Sequence, residues 1–153
     1  MGHEKIQAKM SWLYQGQPFN NSMIPANAEG FVYEMQATID GKLVKYIGKK
    51  NFYSSVKKRF GKRALAQVTD KRTKKYTVVK KESYENYYSS NKVLQEAHKA
   101  GIEIRRYMIR ICFSKTELTY FEVKFQFTRG VLESDEFLNG NILGRFYGPF
   151  KKQ

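Results

Sequence analysis

The residues that could do chemistry in this chain are carboxylates, tyrosines and basic side chains, because histidine and cysteine are scarce. The 153 residues include two histidines, His3 and His98, and one cysteine, Cys112. His3 falls in a polar N-terminal stretch and His98 on the polar face of a predicted helix, so neither a histidine-based nucleophile nor a zinc site is expected. The glycine-rich phosphate loops of nucleotide-binding folds are also absent from the sequence.

The basic side chains are the most numerous of these groups, and their excess indicates a polyanionic partner. Lysine and arginine total 28 against 14 acidic residues, which gives a formal net charge of +14 at pH 7. Such an excess is self-repelling unless a polyanion relieves it, and nucleic acid is the commonest one. We interpret residues 49–81 as a phosphate-binding surface; the alternative is a solvated cationic face. The candidate nucleic-acid-binding residues are Lys49, Lys50, Lys57, Lys58, Arg63, Lys74 and Lys75.

Two candidate tyrosines fall on the two strands of a predicted β-hairpin. Residues 30–39 and 42–47 are rich in strand-forming side chains and are separated by Asp40-Gly41. Asp-Gly between two such runs is a strong hairpin signal, because both turn positions favour positive φ. The hairpin therefore carries Tyr33 on one strand and Tyr46 on the other. Ordinary packing of a half-buried sheet is the alternative explanation for each tyrosine.

One acid, Glu122, lies on a predicted helix without a local structural role. The segment from Ser114 to Glu117 is a capping box that begins this helix, and Gly130 ends it. The cap explains Glu117, because its carboxylate is tied to the helix N-terminus. Glu122 follows Leu118 by four residues, at the edge of the apolar stripe. It is therefore a candidate for chemistry; the alternative is a solvent-exposed acid beside the stripe.

The remaining pattern completes an α+β fold. The order of elements predicts a small, mostly antiparallel three-stranded sheet flanked by helices. Arg106 and Arg110 are expected on the face of the last strand that points away from its apolar side chains. The other predicted elements are a helix near 54–66, a helix from Ser89 or Ser90 to Gly101, and a strand over 102–113.

Length and composition indicate one folded domain with an N-terminal arm. A hydrophobic share of 41% in 153 residues is enough for a single core. Residues 1–29 are rich in turn formers, and we interpret them as a loosely attached arm that Trp12 could anchor. The domain itself is expected over 30–153.

The sequence also predicts a cytoplasmic protein that does not associate with a membrane. One cysteine excludes an intrachain disulfide, which fits a reducing compartment. No apolar stretch approaches the ~20 residues needed to cross a bilayer. The N-terminus lacks the apolar segment of a signal peptide.

The hairpin carries a resemblance to a known superfamily. Gly30-Phe31-Val32-Tyr33 and Tyr46-Ile47-Gly48 resemble the two halves of the GIY-YIG nuclease signature, although two residues separate Gly30 from Tyr33. A basic segment, a helix after two serines, a strand, a helix with one glutamate and a late Asn-Gly-Asn follow in the order of that superfamily. The resemblance covers roughly residues 30 to 145. It is closest to the Seg-type endonucleases of tailed phages, over 46–52 and 117–122.

The resemblance implies a role for each candidate. Tyr33 would lie beside the attacking water, and Tyr46 would help to shape the site. Glu122 would hold the divalent metal, Mg²⁺, for which Mn²⁺ could substitute. Either Asn139 or Asn141 would support the site. Arg59 is the first arginine after the second half of the signature and would bind the scissile phosphate, with Arg63 or Lys57 as substitutes.

This set of groups suits the hydrolysis of a phosphodiester bond. A metal can act as Lewis acid and activate a water, and Mg²⁺ needs only one or two protein carboxylates. A guanidinium offers a planar, permanently charged partner for phosphate. The predicted function is therefore a metal-dependent endonuclease acting on DNA, double-stranded in the first instance, without a small-molecule cofactor.

Two other functional classes fit the same sequence. The first is a catalytically inactive basic module that binds DNA or RNA with the same fold. The second is a structural protein associated with RNA or the ribosome, which would prefer RNA and need no metal. The resemblance to phage enzymes would place the protein in the cytoplasm of the host cell, in homing or in attack on host DNA.

Overall fold

A computed structural model describes residues 11–59, 61–62 and 76–150, which form an α+β fold. Its described part contains two α-helices and a five-stranded mixed sheet, so the predicted class is confirmed, while the predicted three-stranded sheet is too small. The strands are β1 (Leu13–Tyr14), β2 (Gln17–Pro18), β3 (Gly30–Ile39), β4 (Lys42–Asn51), β5 (Tyr53–Arg59), β6 (Tyr76–Glu82), β7 (Arg105–Cys112), β8 (Asn141–Ile142) and β9 (Phe146–Tyr147), and the helices are α1 (Lys92–Lys99) and α2 (Lys115–Thr128).

The predicted hairpin is the centre of the sheet. β3 and β4 pair antiparallel from Gly30 opposite Asn51 to Ile39 opposite Lys42. Asp40 and Gly41 form the turn with φ values of 52° and 77°, as an Asp-Gly turn requires. The return strand continues to Asn51, four residues beyond its predicted end at Ile47, because β3 offers partners along its whole length.

The N-terminal segment belongs to the sheet, which differs from the predicted arm. The strand order is β2-β1-β7-β3-β4, and β1 runs parallel to β7. Trp12 is 2% exposed, and its indole nitrogen donates a hydrogen bond of 2.9 Å to the carbonyl of Tyr84. The turn formers of this segment connect β1 to β2 in a tight turn. Their density therefore does not indicate a loose arm over residues 11–29. Residues 1–10 lie outside the described part.

Each face of the sheet is covered by one helix and one apolar cluster. On the first face, Phe31, Tyr33 and Met35 of β3 pack with Trp12 and with Leu94 of α1. On the second face, the cluster under α2 contains Val32, Ile47, Cys112, Leu118, Val131, Leu132 and Ile142. Alternate side chains of β3 and β4 therefore pack against different helices, α1 on the first face and α2 on the second.

Helix α2 begins and ends as predicted. The Ser114 hydroxyl accepts a hydrogen bond of 3.0 Å from the backbone N–H of Glu117, and the Glu117 carboxylate accepts one of 2.9 Å from Phe113. Gly130 follows the helix with φ of 58°. The capping box thus fixes the rotation at which α2 presents Glu122 to the sheet.

The prediction of a helix near 54–66 is wrong for its described residues. Residues 53–59 form β5, which pairs antiparallel with β6 from Tyr53 opposite Glu82 to Arg59 opposite Tyr76. The partial helical spacing came from isolated apolar residues, whereas the pairing depends on a partner strand distant in sequence. Residues 60 and 63–75 lie outside the described part.

Two smaller expectations are also corrected. The N-cap of α1 is Asn91, whose side-chain oxygen accepts from the N–H groups of Val93 and Leu94, and neither Ser89 nor Ser90 caps the helix. In β7 the register with β3 shifts at Ile109, a bulge that reverses the alternation of side chains. Arg106 is therefore 2% exposed, on the face of Tyr33, instead of pointing away from the apolar side chains.

No helix in the described part of the chain is both long and apolar enough to span a bilayer.

Candidate active site

The two predicted tyrosines lie side by side on one face of the central hairpin. Tyr33 is directly opposite Gly48, and Tyr46 is two residues before Gly48 on the same strand. Alternate residues of a strand share a face, so both rings lie on the first face, with centroids 6.4 Å apart. A Cβ atom on Gly48 would come within 2.6 Å of the Tyr33 hydroxyl. Only glycine leaves room for the Tyr33 phenol at this point.

Tyr33 is held by the segment that precedes α1. It is 1% exposed, and its hydroxyl donates a hydrogen bond of 3.3 Å to the Ser89 hydroxyl; the Tyr87 hydroxyl is 3.5 Å away. Burial, followed by the neighbouring phenol of Tyr87, raises the pKa of Tyr33 far above its usual range. The Tyr33 phenol is therefore a neutral hydrogen-bonding group at physiological pH.

Ser89 adopts a strained conformation in this arrangement. Its φ is 76°, although it is not a glycine, and it is 3% exposed. Its hydroxyl also accepts from the backbone N–H of Asn91 at 3.1 Å, and its carbonyl accepts from the Gln95 side chain at 2.9 Å. These bonds offset the backbone strain, which is of a kind that clusters at functional sites.

Tyr46 is more accessible than Tyr33 and faces a different set of groups. It is half-buried, and burial is the main reason that its pKa is raised. A hydrogen bond with Ser90 lowers the pKa of Tyr46, and the negative charge of Glu122 raises it. The phenol of Tyr46 is therefore within electrostatic reach of the Glu122 carboxylate.

Glu122 projects from the face of α2 that contacts β4. Three residues before it, the Thr119 hydroxyl accepts a hydrogen bond of 2.8 Å from Lys49; four residues after it, the Gln126 amide donates one of 3.1 Å to the Ile47 carbonyl. Residues at these spacings share one helix face, so Glu122 lies between two hydrogen bonds that join α2 to β4. Burial raises the pKa of Glu122, and the charge of Lys49 partly opposes this effect.

The late asparagine that contacts this strand is Asn139. It is 8% exposed, accepts a hydrogen bond of 3.0 Å from the Ile47 N–H, and donates one of 2.8 Å to the Ile47 carbonyl. Because β4 is an edge strand, the Asn139 amide takes the place of a neighbouring strand at this peptide. Asn141 is exposed and accepts from Gly144 within a local turn.

Residues 12–142 match the family described as "Putative endonuclease segE, GIY-YIG domain". The chain belongs to this GIY-YIG endonuclease family. No curated protein and no solved structure matches the chain. The matched residues include both strands of the hairpin, Glu122 and Asn139, so the GIY-YIG resemblance inferred from the sequence is confirmed.

The basic residues expected at the GIY-YIG site are only partly gathered by the structure. Lys49 points to the α2 side of the sheet, and the Lys50 ammonium lies 4.8 Å from the ring centroid of Tyr87 on the opposite side. Lys57 is exposed on β5. For Lys58 and Arg59 only the strand backbone is described, and Arg63, Lys74 and Lys75 lie outside the described residues.

Arg59 is at the end of β5 farthest from the tyrosines along the chain. It follows Tyr53, at the base of the hairpin, by six residues of extended strand, which is about 20 Å of backbone. The assignment of the phosphate-binding arginine to Arg59 assumes a helix over this segment. The rise per residue of a helix is less than half that of a strand, so a helix would keep Arg59 much closer to Tyr53. Because the segment is a strand, Arg59 does not have the short separation from Tyr53 that a helix would give.

The segment that supports Tyr33 has no predicted role at the GIY-YIG site. Arg106 donates hydrogen bonds to the carbonyls of Glu85 and Tyr87, at 2.7 and 3.0 Å, and lies over the ring of Tyr88. It thereby fixes the chain just before Ser89. The run Tyr87-Tyr88-Ser89-Ser90 was a visible signal, but the serines were interpreted as helix caps.

Proposed function

We propose that this GIY-YIG protein is a Mg²⁺-dependent endonuclease that hydrolyses phosphodiester bonds of double-stranded DNA. The carrying observation is that Glu122 lies on the face of α2 whose side chains bond Lys49 and the Ile47 carbonyl, beside the second half of the signature. Family membership supports phosphodiester hydrolysis, and the net charge of +14 supports a nucleic-acid substrate. A function in homing or in attack on host DNA within a host cytoplasm stays a prediction.

A single carboxylate, that of Glu122, suits a magnesium ion. The described residues contain no group of three or more histidine, cysteine, aspartate or glutamate side chains that could hold a metal. This excludes, for that part of the chain, a protein cage of the kind that zinc or calcium prefers. Mg²⁺ keeps most of its waters and needs one or two carboxylates, which Glu122 can supply. When bound, it would act as a Lewis acid and lower the pKa of water.

The protein groups would then orient the reactants. The half-buried phenol of Tyr46 would hydrogen-bond the attacking water through its oxygen. Tyr33 is too deeply buried to contact substrate directly, so it would act as a positioning residue through Gly48 and Ser89. Asn139 would hold the backbone of Ile47, next to Tyr46, from the outer side of β4, and Gln126 would hold it from α2. Positioning of this kind accounts for much of the rate in phosphoryl transfer.

The test is a plasmid nicking assay in Mg²⁺, in Mn²⁺ and in EDTA with the wild type and two matched variants. Glu122→Gln removes the charge without changing the shape, and nicking should fall by about 100-fold or more, because the only carboxylate assigned to the metal is lost. Glu117→Gln makes the same change on the same helix, and the cap should survive because glutamine also completes a capping box. Nicking that persists in Glu122→Gln would remove the assignment.

The inactive binding module is retained as a second candidate because of one observation, the position of Arg59 on an extended strand. Tight, salt-sensitive DNA binding without cleavage in either metal would select it. Preference for RNA with no effect of metal would instead point to an RNA-associated structural protein.

A further inference from the structure

A basic cleft opens at the end of β4. Its volume is about 570 Å³, and four lysines from three separate elements line it, against one acid, Glu29. They are Lys49 and Lys50 of β4, Lys80 of β6 and Lys115 of α2. Cations gathered from distant parts of a chain on one concave surface repel one another, and an anionic ligand relieves that repulsion.

Lys50 links this cleft to the tyrosines. Lys49 and Lys50 are consecutive in a strand, so their side chains leave opposite faces. The Lys49 ammonium bonds Thr119 on the α2 side, whereas the Lys50 ammonium lies over Tyr87, whose hydroxyl is 3.5 Å from that of Tyr33. Lys50 is thus the lysine that borders both the cleft and the tyrosine face.

The charge of Lys50 is not paired with a carboxylate in the part of the chain that the structure describes. The side chain is half-buried, and burial lowers the pKa of Lys50. A partly desolvated cation without a carboxylate is stabilised when an anion binds beside it. Phosphate oxygens are the anions that the proposed DNA substrate supplies.

We propose that Lys50, Lys80 and Lys115 form a phosphate-binding track that leads one strand of the nucleic acid to the tyrosines, with Lys50 on the phosphate nearest to them. This inference rests on the proposed function only in that nucleic acid is the ligand. It gives Lys50, and not Arg59, the contact with the scissile phosphate. The ammonium acts as a compact point charge, without the two-pronged geometry of a guanidinium.

The decisive experiment measures binding without cleavage. A fluorescently labelled DNA duplex is titrated with the full chain in EDTA over a series of NaCl concentrations. The slope of log Kd against log salt should fall by about 1 for Lys50→Ala and by about 2 for Lys80→Ala/Lys115→Ala, since each lost phosphate contact removes about 0.9. Lys50→Arg, which keeps the charge, should retain the wild-type slope.

The control variants remove the same charges elsewhere. Lys42→Ala lies on the same strand and face as Lys50, about 27 Å away along β4, and Lys42→Ala/Lys99→Ala matches the double variant. Unfolding curves confirm that all variants fold. The track is wrong if the cleft variants show the same slopes as these controls, whether or not the wild type cleaves DNA.

Cleavage rates show whether Lys50 or Arg59 contacts the scissile phosphate. At saturating protein in Mg²⁺, Lys50→Ala should lower the cleavage rate by about 100-fold, the usual cost of removing one donor from a developing charge. Arg59→Ala should stay within about twofold, because Arg59 ends β5 after about 20 Å of strand backbone beyond Tyr53. The reverse pattern would return the scissile phosphate to Arg59 and overturn the proposal. A wild type that binds with the expected slopes but never cleaves would refute the nuclease function alone.

Discussion

At the scale of single residues, the two tyrosines of the signature have different surroundings, and we expect different roles for them. Tyr33 is enclosed by Tyr87 and Ser89, whereas Tyr46 is half-buried and its pKa is affected by the charge of Glu122. Burial raises the pKa of both phenols, so neither is a phenolate near neutral pH. Their contribution is then to donate and accept hydrogen bonds, and the accessible one should matter most to the reaction.

The first prediction compares the two hydroxyls. Tyr46→Phe should lower the single-turnover cleavage rate by about 100-fold with little change in stability, because the hydroxyl that orients water is lost. Tyr33→Phe should cost about 1 kcal/mol of unfolding free energy, for the lost bond to Ser89, with a smaller effect on rate. Rapid-quench cleavage and urea unfolding measure the two quantities. Equal rate losses would show that Tyr33 also contacts the substrate.

At the scale of elements, β4 is an edge strand whose outer side is closed by a later segment of the chain. Lys45 exchanges backbone hydrogen bonds with Glu136 and Leu138, and Asn139 continues this contact to Ile47 through its side chain. The edge that carries Tyr46 is therefore protected from pairing with other chains and from fraying.

The second prediction concerns this closure. Asn139→Ala should lower the free energy of unfolding by about 1–3 kcal/mol, because the buried Ile47 N–H loses its partner. The Ile47 amide should then exchange with solvent much faster than in the wild type. Hydrogen exchange followed by NMR checks this, and Asn141→Ala is the control in which Ile47 stays protected. Unchanged protection in Asn139→Ala would contradict the described role.

The third prediction tests whether the N-terminal segment is an arm or part of the core. Trp12 packs edge-on against Phe31 at 4.8 Å and Tyr33 at 5.6 Å between ring centroids. Trp12→Ala should therefore cost about 3–5 kcal/mol, as expected for a large buried side chain. Urea unfolding measures the loss. A cost below about 1 kcal/mol, the range of surface substitutions, would restore the arm.

Elements that are coded locally could be predicted, and those that depend on distant partners could not. Asp40-Gly41 and the Ser114–Glu117 box contain their own turn and cap chemistry, so the hairpin and α2 were found with their boundaries nearly right. The pairing of β1 with β7, and of β5 with β6, leaves no local pattern in short or strongly basic segments. For the candidate site, the resemblance supplied the tyrosines and Glu122, and the basic composition of residues 49–81 supplied Lys50. The support of Tyr33 by Ser89 and the position of Lys50 over Tyr87 depend on contacts that only the fold shows.

At the scale of the whole molecule, the net charge of +14 destabilises the folded state through repulsion between like charges. The fourth prediction follows from screening. Raising NaCl from about 0.05 to 0.5 M shortens the Debye length severalfold and should increase the melting temperature. The increase should be about 2–4 °C for each kcal/mol of repulsion removed. Calorimetry measures it with the protein free of nucleic acid; a melting temperature that falls with salt would show that stabilising ion pairs outweigh the repulsion.

The Ile47 carbonyl accepts hydrogen bonds from both Asn139 and Gln126, at 2.8 and 3.1 Å. Gln126 is one helical turn beyond Glu122, and Ile47 is next to Tyr46. The hydrogen bond from Gln126 to Ile47 therefore connects the helix that carries the acid to the strand that carries the phenol. Thermal fluctuations should move both groups as one body and leave their separation nearly constant. On gradual heating, catalysis should thus persist up to the temperature at which the domain melts and disappear together with the fold.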